Sequence, residues 1–268
     1  MLSFALNHMT VASLGFEQML DVARRLGCVG VECRNDLAGK LFDGLSPQRA
    51  GEMVTDAGLR LLTLAEIKNF DRLTAGDMND VISLMDTAEE AKAEAVSLIP
   101  SNDGKAFDLE QLISSLDTLL PHLKDRNLQG LIEPLGFSTC GIRQKQPVIN
   151  VIERGGYFHH FKLVHDTFHH CVANDNCVDA AHTGLVHLSG VVDRDVSVED
   201  MLDSHRVLVS ETDRLGNVAQ IARLLEQGFE GPFSFEAFSP ELHAEPNIVG
   251  ELEQSMKHIT ATLLKEAA

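Results

Sequence analysis

The chain is expected to fold as an α/β protein, a single-domain (β/α)8 TIM barrel spanning residues 1–268. Short apolar runs alternate with longer amphipathic stretches from end to end. Eight such pairs follow one another at a spacing of about 30 residues, as a barrel of this length requires. The first strand is followed by Asn7-His8-Met9-Thr10 and not by the GxGxxG phosphate cradle of a doubly wound sheet. Strict alternation implies a parallel sheet with right-handed crossovers, and eight units close it.

The strands are placed at 2–7 (LSFALN), 29–33 (VGVEC), 60–66 (RLLTLAE), 95–99 (AVSLI), 128–133 (LQGLIE), 161–166 (FKLVHD), 184–188 (GLVHL) and 232–237 (PFSFEA). Each is short, apolar and bounded by turn-forming residues. Helical patterns lie between them at 15–27, 46–58, 77–94, 108–126, 145–155, 169–180, 217–228 and 246–266. Ser46 can cap the second helix, with Pro47 at its first position. Asn217 is the expected cap of the helix that carries Val218, Ile221, Leu224 and Leu225. Gly27, Gly58 and Gly228 sit where helices should stop. The longest stretch without an element is 189–216, and a connection of that length is generally functional.

Composition narrows the function. Hydrophobic residues make up 44% of the chain, with no Trp and one Tyr, Tyr157, so the core must be Leu, Val, Ile, Ala and Phe. The net charge is -18 and no basic run exceeds Arg24-Arg25. A duplex-binding surface needs a basic patch, so nucleic acid is not an expected partner. No apolar stretch approaches the ~18 residues that span a membrane, and the N-terminal run lacks the basic flank of a secretory leader. The five cysteines (Cys28, Cys33, Cys140, Cys171, Cys177) are odd in number and form no CxxC pair. They read as free thiols in a cytoplasmic protein, Cys171 and Cys177 as core residues.

Catalytic groups of a (β/α)8 barrel stand at the C-terminal ends of its strands. Here the fifth strand ends in Glu133, the sixth in Asp166, the seventh carries His187 and the eighth Glu236. Three converging carboxylates would repel one another and protonate unless a cation joined them. Three oxygens and one imidazole suit one divalent ion, Mn²⁺, Mg²⁺, Co²⁺ or Zn²⁺. Any one of these carboxylates could instead be a plain helix cap; four consecutive strand ends are what point to a metal. Paired histidines at His159-His160 and His169-His170 do not suggest a second metal, because adjacent strand residues face opposite ways.

At these residues the sequence resembles the xylose isomerase-like TIM barrel superfamily, over essentially the whole chain. The likeness rests on Glu133 in IEPLGF, on the run Asp166-Thr167-Phe168-His169, on His187 in LVHLSG and on Glu236 in FSFEAF. It implies that these four residues bind the metal. The segments VGVECRNDLAGKL and GFSTCGIRQ look most like the inosose isomerase branch, whose substrate is a keto-inositol. The three-zinc site of the endonuclease branch is not matched. The third strand ends in Glu66, the fourth in Pro100-Ser101, and Asp193-Arg194-Asp195 has no histidine at its third position. Arg206 is followed by Val-Leu-Val-Ser-Glu-Thr-Asp and not by the Pro/Gly-rich turn of many relatives, which leaves substrate choice open.

The expected reaction is isomerisation of an unphosphorylated keto-polyol, inosose first, through an enediolate. The resemblance to epimerases implies that Glu133 and Glu236 act as acid and base besides binding metal. A ketose 3-epimerase, a hydroxypyruvate isomerase and a metal-dependent inosose dehydratase are the alternatives. A sugar binder without turnover has no need of the acid/base pair. His169 and Arg206 are expected to bond substrate, and His8 and Glu66 to line the pocket. Arg143 and Lys145 are weaker candidates. The expected partner is a small sugar or cyclitol ketone, and a homo-oligomer is compatible with this reading.

Overall fold

The computed structural model describes residues 2–266, so Met1, Ala267 and Ala268 of the expected domain lie outside the described residues. The strands are β1 (Phe4–Asn7), β2 (Gly30–Arg34), β3 (Arg60–Lys68), β4 (Ala95–Ile99), β5 (Gln129–Ile132), β6 (Phe161–Asp166), β7 (Thr183–Leu188) and β8 (Phe233–Phe235). Each pairs in parallel with the next, and β8 pairs with β1 through Ala5 and Ser234, which closes the barrel. All eight expected strands are present. The helices are α1 (Phe16–Arg25), α2 (Pro47–Asp56), α3 (Met78–Glu90), α4 (Leu109–Asp125), α5 (Lys145–Gly155), α6 (Thr167–Val172), α7 (Asn217–Glu226), α8 (Pro240–His243) and α9 (Ile248–Glu266). Among the described residues no helix is long and apolar enough to cross a membrane.

The start and stop signals act as chemistry requires. The Ser46 hydroxyl accepts a hydrogen bond from the Arg49 amide at 3.3 Å, with Pro47 at the first helical position. Gly27 follows α1 at φ 68°, a left-handed turn that a side chain would strain.

Three helical expectations are corrected. The sixth helix is not 169–180 but α6, which starts at Thr167 because the Asp166 carboxylate caps the His169 amide at 2.7 Å. It ends early because Asn174 turns left-handed and Asp175 accepts from the Cys177 and Lys145 amides, bonds that compete with further helix. Asn217 does not cap α7. It lies inside the helix and donates to the Ser189 carbonyl, while Asp213 accepts from the Asn217 amide. Before α9 stands the short α8, capped by Ser239 with Pro240 behind it, the same Ser-Pro signal that marks α2.

The apolar core has two parts. Most of it lies between strands and helices. A smaller cluster of Ala5, Leu62, Ala95, Leu131, Val164 and Leu185 plugs the barrel interior. Burying each Leu or Val there contributes about 1.5–3 kcal/mol. Side chains alternate along a strand. Two residues beyond Ala5, Leu131, Val164 and Leu185 therefore come Asn7, Glu133, Asp166 and His187, facing the same interior one layer nearer the mouth.

Candidate metal centre

Glu133, Asp166, His187 and Glu236 are buried, and one ligand atom from each lies within 4.8 Å of the others. Nδ1 of His187 is 3.1 Å from Glu236 Oε2, 3.5 Å from Glu133 Oε2 and 3.9 Å from Asp166 Oδ2. That nitrogen is buried and makes no hydrogen bond. A buried polar atom without a partner is rare in a folded protein. Here it faces three carboxylates at the end of a barrel, and the donor set fits a divalent cation.

The electrostatics are those of a crowded anionic site. Burial pushes the Glu133 carboxyl up to about 7, and the neighbouring charges of Glu236 and Asp166 add to it against the pull of His187. For His187 burial opposes the charge, but Glu236, Glu32 and Glu133 outweigh it and hold the imidazolium well above its usual range. Glu236 goes the other way: burial is overcome by His187, Arg206 and Arg34, which keep it below the usual carboxylate range. The three carboxylates thus draw positive charge to the position that His187 Nδ1 faces, either as a proton on the ring or as an ion bound by the neutral ring.

Each group is fixed by the local fold. Asp166 does two jobs with its two oxygens. Oδ1 caps α6, and Oδ2 accepts from Arg206 Nη2 at 2.6 Å. Cap and site residue are therefore not alternatives at this position. Arg206 is no solvated loop charge: it is 1% exposed. The 189–216 connection folds back through a bridge between Gly190 and Val207 and delivers the guanidinium between Asp166 and Glu236, against the ring of Phe238. Glu236 also accepts from Asn7 at 3.2 Å and from Arg34 at 2.7 Å.

A cavity of about 430 Å³ opens over these groups at the C-terminal mouth. Glu66, Glu133, His169, Arg206 and Glu236 line it. His169 accepts the Gly136 amide at Nδ1, so its Nε2, 3.9 Å from Glu133 Oε1, is the nitrogen turned to the site. Glu66 is bridged by Lys68 at 3.0 Å and Arg34 at 3.6 Å. His8 does not line the cavity. Its residue falls in a 3-10 turn after β1 and its ring bonds the Leu14 carbonyl at 2.9 Å. Lys145 and Arg143 are also outside it: Lys145 is buried against His170 and Asp175, and Arg143 donates to the Gly136 carbonyl. His169 and His170 lie on α6 and not on a strand; successive helical residues are turned by about 100°, which sends His169 toward Glu133 and His170 toward Lys145.

Sequence reasoning missed Arg34 and Glu32. Both lie on β2, where Gly30, Glu32 and Arg34 alternate with Val31 and Cys33. In a closed barrel covered by helices both strand faces are buried, so charges at alternate positions of an inner strand must point into the barrel. That was the available signal.

The chain matches the xylose isomerase-like TIM barrel family over residues 20–262, and belongs to it. Among solved structures it is similar to a xylose isomerase domain-containing protein from Salmonella typhimurium, with 29% identity, a TM-score of 0.90, and 98% and 97% of the two chains covered. It also superposes on the IolI protein, described with a bound zinc atom, at 17% identity and TM-score 0.83 over 99% of each chain. A D-psicose 3-epimerase from Clostridium cellulolyticum, described with D-tagatose, gives 12% identity and TM-score 0.73 over 98% and 99%. No curated protein sequence matches the chain.

Proposed function

We propose that the protein is a metal-dependent isomerase of an unphosphorylated keto-polyol, with a keto-inositol as the first substrate to try. The observation that carries this is the unpartnered His187 Nδ1 facing Glu133, Asp166 and Glu236 on the floor of a polar cavity. Glu133, Asp166, His187 and Glu236 would hold the ion, whose identity the ligand types leave among Mn²⁺, Mg²⁺, Co²⁺ and Zn²⁺. When bound, it would supply a Lewis acid that polarises the substrate carbonyl and stabilises charge developing on oxygen.

The chain's own groups supply the rest. Burial drives Glu133 up to about 7, while the charges around Glu236 hold it low. The acid and base roles rest on placement: Glu133 stands beside His169, and Glu236 comes from the neighbouring side of the site between Arg34 and Arg206. One would take the proton from the carbon beside the carbonyl and the other would give a proton to the former carbonyl carbon, while the hydroxyl proton of the first carbon passes to the former carbonyl oxygen, so that one C–H and one O–H are lost and one of each is formed. His169 Nε2 would donate to a substrate hydroxyl, and Arg206, held rigid between two carboxylates, would set the orientation of the bound oxygens.

The charge of the cavity favours a neutral substrate. Every cation that lines it is already paired: Arg34 with Asp36 and Glu236, Arg206 with Asp166, Asp203 and Glu236, and Lys68 with Glu66. Apart from the ion itself, a phosphate or carboxylate would meet no unpaired cationic side chain in the lining, which favours a keto-polyol over hydroxypyruvate. A ketose 3-epimerase uses the same proton transfer and is the second reading; similarity to the D-psicose 3-epimerase structure supports it. The test is incubation with an inosose and a ketose panel in heavy water, with added Mn²⁺. Deuterium entering beside the carbonyl of inosose, with an isomer as product and no loss of water, is the expected result. Exchange confined to ketoses would make it an epimerase, loss of water a dehydratase, and no exchange with any substrate would end the enzymatic reading.

A further inference from the structure

Behind the candidate ligands lies a carboxylate that the proposed chemistry does not use. Glu32 on β2 is fully buried and lines no part of the cavity. Among the described residues its one ion-pair partner is His187. A carboxylate placed so deep is costly unless its oxygens are satisfied. Three groups from three other strands satisfy them. Thr63 of β3 donates to Oε2 at 2.8 Å, Ser234 of β8 donates to Oε1 at 2.5 Å, and Nε2 of His187 lies 3.2 Å from Oε2.

The geometry points to Glu32 as a positioning residue of the metal centre, one that fixes the proton of His187 on Nε2 and leaves Nδ1 as the ligand atom. This rests on the metal reading of the site. An ionised carboxylate only accepts hydrogen bonds. Whatever sits 3.2 Å from it must donate, so Nε2 carries a hydrogen. In the neutral ring the other nitrogen then has a free lone pair, and that nitrogen is the one without a partner, turned toward Glu133, Asp166 and Glu236. The outer bond of a ligating histidine sets both its tautomer and its ring plane. Thr63 and Ser234 hold the carboxylate from two sides, so its own rotation is removed as well. Because both hydroxyls come from the barrel wall, the aim of His187 is tied to the closure of β8 onto β1, which brings Ser234 within reach of Glu32. Glu32 lines no part of the cavity, and among the four candidate ligands its hydrogen bond is to His187, while its charge is also felt by Glu236.

The test compares wild type with Glu32→Gln and Glu32→Ala, and with the milder Thr63→Val and Ser234→Ala, each confirmed folded by circular dichroism. Two quantities are read on zinc-loaded protein: the dissociation constant by chelator competition, and the His187 ring signals by ¹H–¹⁵N correlation of histidine-labelled protein. Wild type should show a slowly exchanging Nε2–H. Glu32→Gln keeps an oxygen that can accept, so it should keep that signal while affinity falls about 10-fold. Glu32→Ala should lose the slow exchange, with affinity down by up to about 100-fold. The two hydroxyl variants should fall between wild type and Glu32→Gln. A folded Glu32→Ala protein with wild-type affinity and an unchanged Nε2–H signal would overturn the assignment of Glu32 alone. If Glu32→Ala does not fold, unchanged affinity and ring signals in both hydroxyl variants and in Glu32→Gln would overturn it. Wild-type protein that holds no divalent ion would overturn the metal reading on which it rests.

Discussion

Strands β5 to β8 end in, or run directly into, Glu133, Asp166, His187 and Glu236, the four groups that face one another at the barrel mouth. Strands β1 to β3 bring Asn7, Arg34 and Glu66 to the same mouth, with Glu32 of β2 one layer below, and their part is different. Asn7 and Arg34 bond Glu236, Glu32 faces the far side of the His187 ring, and Glu66 closes the outer side of Arg34. One half supplies candidate ligands and the other supplies the groups that restrain them. The comparison teaches how a barrel tolerates three buried carboxylates within one small volume. Like charges that close would drive protons onto one another. The opposite wall offsets this with a guanidinium and an amide aimed at Glu236, and the 189–216 connection adds Arg206.

The comparison can be broken most directly in the ligand half. Glu236→Gln and Glu133→Gln should each lower turnover by about 10²–10⁴-fold even at saturating Mn²⁺ with the ion demonstrably bound, because an amide cannot accept a proton near neutral pH. Near-normal turnover by a fully loaded variant would reduce that carboxylate to a ligand, and His169 would be the next proton carrier to examine. In the restraining half the effect should appear in stability first. Arg34→Ala removes the partner of buried Glu236 and of Asp36. It should cost about 3–5 kcal/mol in metal-free urea unfolding, and less at saturating metal, which then balances Glu236 itself. An equal loss in both conditions would show that Arg34 serves packing and not the charge of the site. The smallest effect is expected at the rim. The Lys68 side chain is 64% exposed, so its pair with Glu66 is screened and Lys68→Ala should change stability by less than about 1 kcal/mol.

The same division explains what could be read from the sequence. The ligand half is legible because its residues sit at consecutive strand ends, each preceded by an apolar run that fixes the strand and its direction. All eight strands followed from those runs, and the chain's membership in the xylose isomerase-like family agrees with the motifs around Glu133, Asp166, His187 and Glu236. The restraining half was not legible in the same way. Glu32 lies inside a strand whose five residues are all buried and carries no end signal, and Arg34, at that strand's end, is basic and so stands outside a search for metal-binding carboxylates and imidazoles. Their roles depend on partners far away in the chain, Ser234 and His187 for Glu32 and Glu236 for Arg34. Local signals failed where other side-chain bonds, near and far in the chain, competed with them. Asp175 side-chain bonds stop α6 short, Asp213 takes over the cap expected of Asn217, and His8 turns to Leu14 and away from the cavity. Arg206 is a candidate substrate donor by its place in the long connection after the seventh strand and by likeness to the Arg of many relatives. Its burial between two carboxylates is a property of how the loop folds back, which no local pattern encodes.

In the proposed function, four consecutive strands hold one divalent ion through His187 Nδ1 and three carboxylates. The most direct measurement is a calorimetric titration of chelator-stripped protein with Mn²⁺ and with Zn²⁺ between pH 6 and 8, beside the His187→Ala variant. One ion per chain is expected for wild type, with severe loss of binding in the variant. Affinity should also weaken as pH falls through about 7, where Glu133 gains the proton that the ion must displace, with His187 protonated over the same range. Binding that is absent in wild type, or that survives His187→Ala unchanged and without pH dependence, would contradict the proposed function.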